Sequence, residues 1–343
     1  MLGARASAGA AQTGMKMSNA SQDIPIIDIG SLWASPGLSD VAALARQVDA
    51  ACRSIGFFYV VNHAVPPAIV TETFAANLWF HAKPFEEKML LKLNKWHRGY
   101  QAIGGSTLVS SQRFAAARHA NQLESFFMRH EVDPDDPAYM SEPLQGPNQW
   151  PGDPWFRRVV EAYDHALKDL GMKLLQVFST AVGEQPGYFD RRFAPPSTAL
   201  RLIHYPPAPQ RRPEDLYGIH PHTDYGFLTI LAQDDVGGLE IQRRDGQWVA
   251  VPAIPGTFII NIGDALARWT NDQFNSTPHR VINPSTERPR YSIGYFFDPS
   301  LGTEVRCLPS FVGGSAPARY DAIRYGDYFS MRLDANYADR IGV

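Results

Sequence analysis

The chain has 343 residues, 44% hydrophobic and 12% aromatic, with a net charge of −3. That is enough apolar material for one large core or two small ones, and it offers no basic surface for nucleic acid: short cationic pairs such as Arg211-Arg212 and Arg243-Arg244 read as solvated loop charges. No run reaches the roughly 18 apolar residues of a membrane span, and two cysteines, Cys52 and Cys307, exclude a disulfide framework and favour the reducing cytoplasm.

Residues 1–22 are rich in Ala, Gly and Ser and lack an apolar h-region, so a disordered leader is expected rather than a signal peptide. Met15 and Met17 are alternative starts, and a transit peptide is the other option. Val41, Leu44, Val48 and Ala51 recur at helical spacing, which predicts a helix over 39–53 with Ser39-Asp40 at its start and Gly56 beyond its end. Residues 57–61 are aromatic and β-branched and read as a strand. Two helices broken near Pro84 are expected over 66–93, a loop at Gly104-Gly105, an ambiguous stretch over 106–120, and a Pro-rich crossover loop over 135–154. The longest helix is expected over 155–182, ended by Gly183. From 199 to 298 the pattern changes to short strands separated by Gly, Pro and Asp turns, as in a β-sandwich or barrel. Gly237-Gly238 and Asp245-Gly246 both read as hairpin turns.

The chemistry concentrates in His220-Pro-His-Thr-Asp-Tyr225. His222 and Asp224 are two apart, a spacing that puts both side chains on one face of an extended strand. A second imidazole, His279 in Ser276-Thr-Pro-His-Arg-Val281, would complete a two-His, one-carboxylate set. Such a set leaves positions open on Fe(II) for a co-substrate and O2. Leu228 to Leu231 follows at once as a buried strand. Further on, Arg290 and Ser292 share a face of an apolar strand. A guanidinium and a hydroxyl on an inward face need an anion, and the planar fork suits a carboxylate.

In these residues the chain resembles the isopenicillin N synthase-like group of Fe(II)/2-oxoglutarate-dependent dioxygenases. The matching segments are Arg201-Leu-Ile-His-Tyr-Pro206, His222-Thr-Asp-Tyr-Gly226, Gln233-Asp-Asp-Val-Gly-Gly-Leu239, Asn261-Ile-Gly-Asp264, Trp269-Thr-Asn271, Ser276 to Val281 and Arg290-Tyr-Ser292. Ile24 to Asp28 and Gly56 to His63 match as well. The resemblance implies an α+β, mainly β fold: a double-stranded β-helix (jelly roll) core with flanking N-terminal helices. The expected organisation is a leader over 1–22, an N-terminal helical and strand region over 23–150, and a jelly-roll core with a C-terminal extension over 151–343.

The same resemblance implies that His222, Asp224 and His279 hold Fe(II), and that 2-oxoglutarate chelates it. The far carboxylate of 2-oxoglutarate then meets Arg290, Ser292 and Tyr205. Oxidative decarboxylation to succinate and CO2 yields an Fe(IV)=O species that attacks a C–H bond of a small molecule, giving hydroxylation, desaturation or ring formation. Tyr225, Phe227, Phe296 and Arg201 are candidates for the substrate pocket, with Tyr100, Arg113, Phe126 and Phe127 as wall residues from the N-terminal part. His220 and His204 read as structural. A monomer is favoured, without nucleic-acid or membrane partners. Two other functions are kept open. One is an ethylene-forming enzyme acting on 2-oxoglutarate and L-arginine. Against it stand Ser292 and the lack of an acid in Gly104-Gly-Ser-Thr107. The other is a non-catalytic jelly-roll binding protein.

Overall fold

Strands whose alternate residues are apolar on both sides can be covered on both faces, and here they are. The computed structural model describes residues 24–34, 36–105, 114, 118–141, 143–313 and 316–335. The leader with Met15 and Met17, Arg113, Ser106 and Thr107, and most of the ambiguous 106–120 stretch lie outside these residues.

The N-terminal part contributes β1 (Ile26–Asp28), α1 (Leu38–Ser54), β2 (Phe57–Val61), α2 (Pro67–His81), α3 (Phe85–Met89), β3 (Gly99–Gln101) and β4 (Glu124–Arg129). The expected helix over 39–53 is α1. It starts slightly earlier, where the Asp40 carboxylate reaches back to accept the Gly37 N–H at 3.0 Å. The long helix α4 (Pro154–Ala181) starts where the Asp153 side chain accepts the Trp155 N–H at 2.8 Å, with Pro154 in its first turn.

The remainder supplies β5 (Ser197–Tyr205), β6 (Ile219–His222), β7 (Leu228–Gln233), β8 (Leu239–Gln242), β9 (Trp248–Ala250), β10 (Phe258–Ile262), α5 (Asp264–Trp269), β11 (His279–Val281), β12 (Arg290–Asp298) and α6 (Tyr325–Asp334). The largest sheet runs β1-β2-β10-β7-β12-β5-β4-β3 and a second, four-stranded sheet β6-β11-β8-β9. The strands of the N-terminal part thus extend the larger sheet at both ends.

Alternation along β12 and β5 separates two cores. Ile293, Tyr295 and Phe297 with Leu200 and Leu202 pack toward the helices, against Leu167, Leu170 and Leu174 of α4. Ile203 and Tyr205 join Ile241, Ile259 and Val281 in a second core between the sheets. A helical layer therefore covers one face of the large sheet, and the small sheet covers part of the other.

One turn differs from its sequence pattern. Asp245-Gly246 does join the paired strands β8 and β9. Gly237-Gly238 instead links β7 in the large sheet to β8 in the small one, so it is a crossover and not a hairpin. Both glycines have positive φ (79° and 93°), and a Cβ on Gly238 would collide with the Ile282 carbonyl. The pattern identified the backbone conformation correctly, but not the partner strand.

A buried ionic network lies on the helix-facing side of β4 and β5. Glu124 accepts hydrogen bonds from Lys88 Nζ at 2.7 Å and from Tyr100, and pairs with His204 Nδ1 at 2.7 Å. Burial pushes this carboxyl up, but hydrogen bonds from His204, Lys88 and Tyr100 outweigh it and hold it at about 2. The group therefore contributes stability above its unfolded value and loses it as pH falls from about 4.5 toward 2. Glu124→Gln leaves a buried Lys88 unpaired and is expected to cost about 3–5 kcal/mol. Urea unfolding at pH 7 and pH 3 checks this: the difference between the two proteins should shrink at pH 3, and an equal difference at both values would contradict it.

Candidate metal and co-substrate site

His222 ends β6 and is the register partner of His279 on β11. Two imidazoles are thus set side by side, with ring centroids 4.2 Å apart. Asp224 lies beyond the end of β6, so the shared strand face expected from the two-residue spacing is not what aligns it. The chain bends there, and Asp224 is held from the large sheet: its Oδ2 accepts Thr229 Oγ1 of β7 at 2.5 Å and Asn261 Nδ2 of β10 at 2.7 Å. This leaves Oδ1 facing the imidazoles, 3.8 Å from His222 Nε2 and 3.7 Å from His279 Nε2. Among the described residues, this is the group whose donor atoms all lie within 4.8 Å of one another.

The outer contacts fix which ring atoms are available. His222 Nδ1 faces the His220 carbonyl at 2.8 Å and His279 Nδ1 faces the Thr277 carbonyl at 3.2 Å. Donation from each Nδ1–H leaves the Nε2 lone pairs pointing at the Asp224 oxygen. Burial, reinforced by the neighbouring His279, lowers the His222 imidazole to about 3 and keeps it neutral. Burial raises the Asp224 carboxyl, but His279, His222, Thr229 and Asn261 outweigh it, and the net shift is downward. A neutral His222 imidazole and a second imidazole beside an ionised carboxylate are a donor set suited to a divalent cation.

The three donors open onto a cavity of about 140 Å³. At one end lies Arg290, wholly buried. It donates to the Gly237 carbonyl at 2.5 Å, to Gln233 Oε1 at 3.0 Å and to Ser292 Oγ at 3.3 Å, and its guanidinium stacks 4.6 Å from the Tyr205 ring. Among the described residues no carboxylate forms an ion pair with it, though the Asp234 carboxylate is near enough to feel its charge. A buried guanidinium whose hydrogen-bond partners are all neutral is a site for an anion.

Tyr225, Phe296 and Arg201 also line the cavity, as does Phe127 from β4. Phe227 does not, which corrects its assignment to the substrate pocket. It is fully buried among Phe178, Phe189, Phe193 and Trp269, with ring centroids 5.0–5.7 Å away. The reason is a bend at Gly226, where a Cβ would collide with the Asp298 carboxylate. That carboxylate takes the Phe227 N–H at 2.7 Å and turns the ring into the helix-side core. Phe227→Ala is therefore expected to cost about 3–5 kcal/mol of stability. Thermal unfolding checks this; an unchanged melting point with altered substrate preference would restore Phe227 to the pocket.

Tyr100 and Phe126 point to the core as well. His220 hydrogen-bonds Asn121 Oδ1 at 2.7 Å, and His204 belongs to the Glu124 network. Asp264 accepts Thr223 Oγ1 at 3.1 Å and Arg332 Nη1 of α6 at 2.7 Å, tying the metal loop to the C-terminal helix. Sequence reasoning missed the contacts that Asn261 and Thr229 make with Asp224 and that Gln233 makes with Arg290. A single Asn within the apolar run Phe258–Ile262 was the available signal for the first. Phe329 and Leu333 of α6 reach the cavity, so the C-terminal extension does contribute to its wall.

Comparison with known proteins agrees with this geometry. Residues 196–299 match the 2OG-Fe(II) oxygenase superfamily, and residues 24–153 match the family described as non-haem dioxygenase in morphine synthesis N-terminal. A 2-oxoglutarate-Fe(II) type oxidoreductase (hxnY) of Emericella nidulans is 33% identical, over 88% of this chain and 87% of that one. A homoarginine-6-hydroxylase of Glycine max is 31% identical, over 92% and 98%. The crystal structure of a full-length Neurospora crassa protein in complex with alpha-KG and thymine superposes with a TM-score of 0.80 at 27% identity, covering 91% of this chain and 96% of that one. The chain belongs to the 2OG-Fe(II) oxygenase superfamily, as a 2-oxoglutarate-dependent, non-haem iron dioxygenase that oxidises small molecules.

Proposed function

We propose that this enzyme oxidises a C–H bond of one small molecule, by hydroxylation, desaturation or ring formation, with His222, Asp224 and His279 as its iron ligands. The observation that carries the ligand assignment is the convergence of two Nε2 atoms and one Oδ1, each oriented by a hydrogen bond on its far side. Iron supplies the chemistry that couples O2 reduction and 2-oxoglutarate decarboxylation to substrate oxidation. The chain supplies position and exclusion of water. Arg290 and Ser292, with Tyr205 beneath the guanidinium, take the far carboxylate of 2-oxoglutarate and fix its distance from the metal loop. Thr229 and Asn261 keep the second Asp224 oxygen engaged, so one oxygen faces the metal. Phe57, edge-on to His279 at 5.5 Å, and Leu231 make the surrounding wall apolar. Tyr225, Phe296 and Arg201 border the substrate.

Cys52 and Cys307 are both buried and unpaired, in keeping with the cytoplasm. Among the described residues, no helix is long and apolar enough to cross a membrane. Incubation with Fe(II), 2-oxoglutarate and O2 against candidate substrates tests the activity. One succinate per oxidised substrate is expected. Ethylene as the main product of 2-oxoglutarate would replace this reading with the ethylene-forming one.

A further inference from the structure

Asp224 sits in the bend between β6 and β7, where no strand pairing fixes its backbone. Groups on α5 and α6 hold that bend instead. The Asp264 N–H donates to the Asp224 carbonyl at 2.8 Å, and the Ala265 N–H donates to the Gly226 carbonyl at 3.0 Å. The Asp264 side chain uses one oxygen twice: Oδ2 accepts Thr223 Oγ1 at 3.1 Å and Arg332 Nη1 at 2.7 Å. The Arg332 guanidinium also lies over the Tyr225 ring, 4.2 Å from its centroid, and donates to the Tyr328 hydroxyl at 2.8 Å. Thr223 and Tyr225 are the residues on either side of Asp224. A single guanidinium from α6 thus reaches both neighbours of a proposed iron ligand, one through the Asp264 carboxylate and one directly.

An exposed ion pair would do little here, but this one is partly shielded: the Arg332 and Asp264 side chains are 24% and 20% exposed. The pair also shares its carboxylate oxygen with Thr223, so the loss of one partner shifts the others. The planar guanidinium can donate along its edge while its face covers a ring, which an ammonium group cannot do. The simpler role, fastening the C-terminal segment to α5, already belongs to Arg268. Its guanidinium lies 4.4 Å from the Tyr320 ring and 5.3 Å from the Tyr328 ring, and Nη2 donates to the Asp321 carbonyl at 3.1 Å. Those contacts stay within the C-terminal segment, whereas the contacts of Arg332 extend to the metal loop.

We infer that Arg332 is a positioning residue of the iron site: with Asp264 it holds the backbone from Thr223 to Tyr225, so that Asp224 Oδ1 stays turned toward His222 and His279. This rests on the iron-ligand assignment above. Thr229 and Asn261 orient the carboxylate itself, and the Asp264–Arg332 pair fixes the bend that carries it. Phe329 and Leu333 of the same helix line the cavity, so the helix that walls the cavity also braces the metal loop.

The test measures Fe(II) affinity of the full chain, anaerobically and without 2-oxoglutarate, by competition with a chromogenic ferrous chelator. Thermal unfolding of each variant is read beside it. Arg332→Gln should weaken Fe(II) binding about tenfold, the lower end of the range for partners of metal ligands. Asp264→Asn should have a similar effect, and the double variant should fall well short of the product of the two, because the residues act as a unit. Arg332→Lys should recover part of the affinity, since it can pair with Asp264 but offers no plane to Tyr225. Arg268→Ala should lower the melting temperature and leave Fe(II) affinity unchanged. Unchanged affinity in folded Arg332→Gln, multiplying effects in the double variant, or an equal loss in Arg268→Ala would overturn the inference. Should Arg332→Gln fail to fold, Asp264→Asn and Arg332→Lys decide by the same comparison. If the unaltered chain binds no Fe(II), the ligand assignment fails instead.

Discussion

Asp224→Ala is expected to abolish turnover and stoichiometric iron binding while leaving the chain folded. Asp224 brings the only carboxylate among the three donors, and burial keeps the His222 imidazole that remains neutral. Changes to the hydrogen-bond partners of metal ligands typically cost about 10–100-fold in affinity or activity, so loss of the ligand itself should exceed that range. Asn261→Ala provides the comparison. It removes the 2.7 Å bond to Asp224 Oδ2 but keeps the carboxylate, and should fall within the 10–100-fold range. Iron content after gel filtration, read beside near-ultraviolet circular dichroism, checks both. Full activity in Asp224→Ala would remove it from the ligand set.

Arg290→Ala should raise the 2-oxoglutarate concentration needed for half-maximal rate by about 10–150-fold, the effect of losing a charged hydrogen bond worth about 1.5–3 kcal/mol. The rate at saturating 2-oxoglutarate should fall much less, because Arg290 binds the end of the co-substrate remote from the reacting atoms. Iron content should not change. Arg290→Lys restores the charge but not the planar fork, and cannot reproduce the donations to Gly237, Gln233 and Ser292 together. It should recover only part of the affinity. An unchanged 2-oxoglutarate requirement in Arg290→Ala would mean that this guanidinium serves another anion.

The sequence was most legible where chemistry is local. Apolar spacing gave α1 and α4 to within about two residues, and the His-x-Asp pair with the later His identified the three donors the fold brings together. It was least legible where the outcome depends on one bend. Alternation from Thr229 and Leu231 back to Phe227 would put all three on the cavity face, yet the Asp298 carboxylate seated against Gly226 turns Phe227 to the core. Gly237-Gly238 reads as a hairpin because positive φ is visible in residue type, whereas the sheet that the next strand joins is not. The contact of Asn261 with Asp224 was missed for a related reason. It arises from a strand brought beside the metal loop by long-range pairing.

Anaerobic titration with Fe(II) and then 2-oxoglutarate, followed by visible absorption, tests the central claim most directly. A weak charge-transfer band that needs both additions, saturates at one iron per chain, disappears in Asp224→Ala and shifts to higher 2-oxoglutarate in Arg290→Ala is the expected result. Iron that binds without any band when 2-oxoglutarate is added would contradict the co-substrate assignment, and absence of bound iron would contradict the metal site itself.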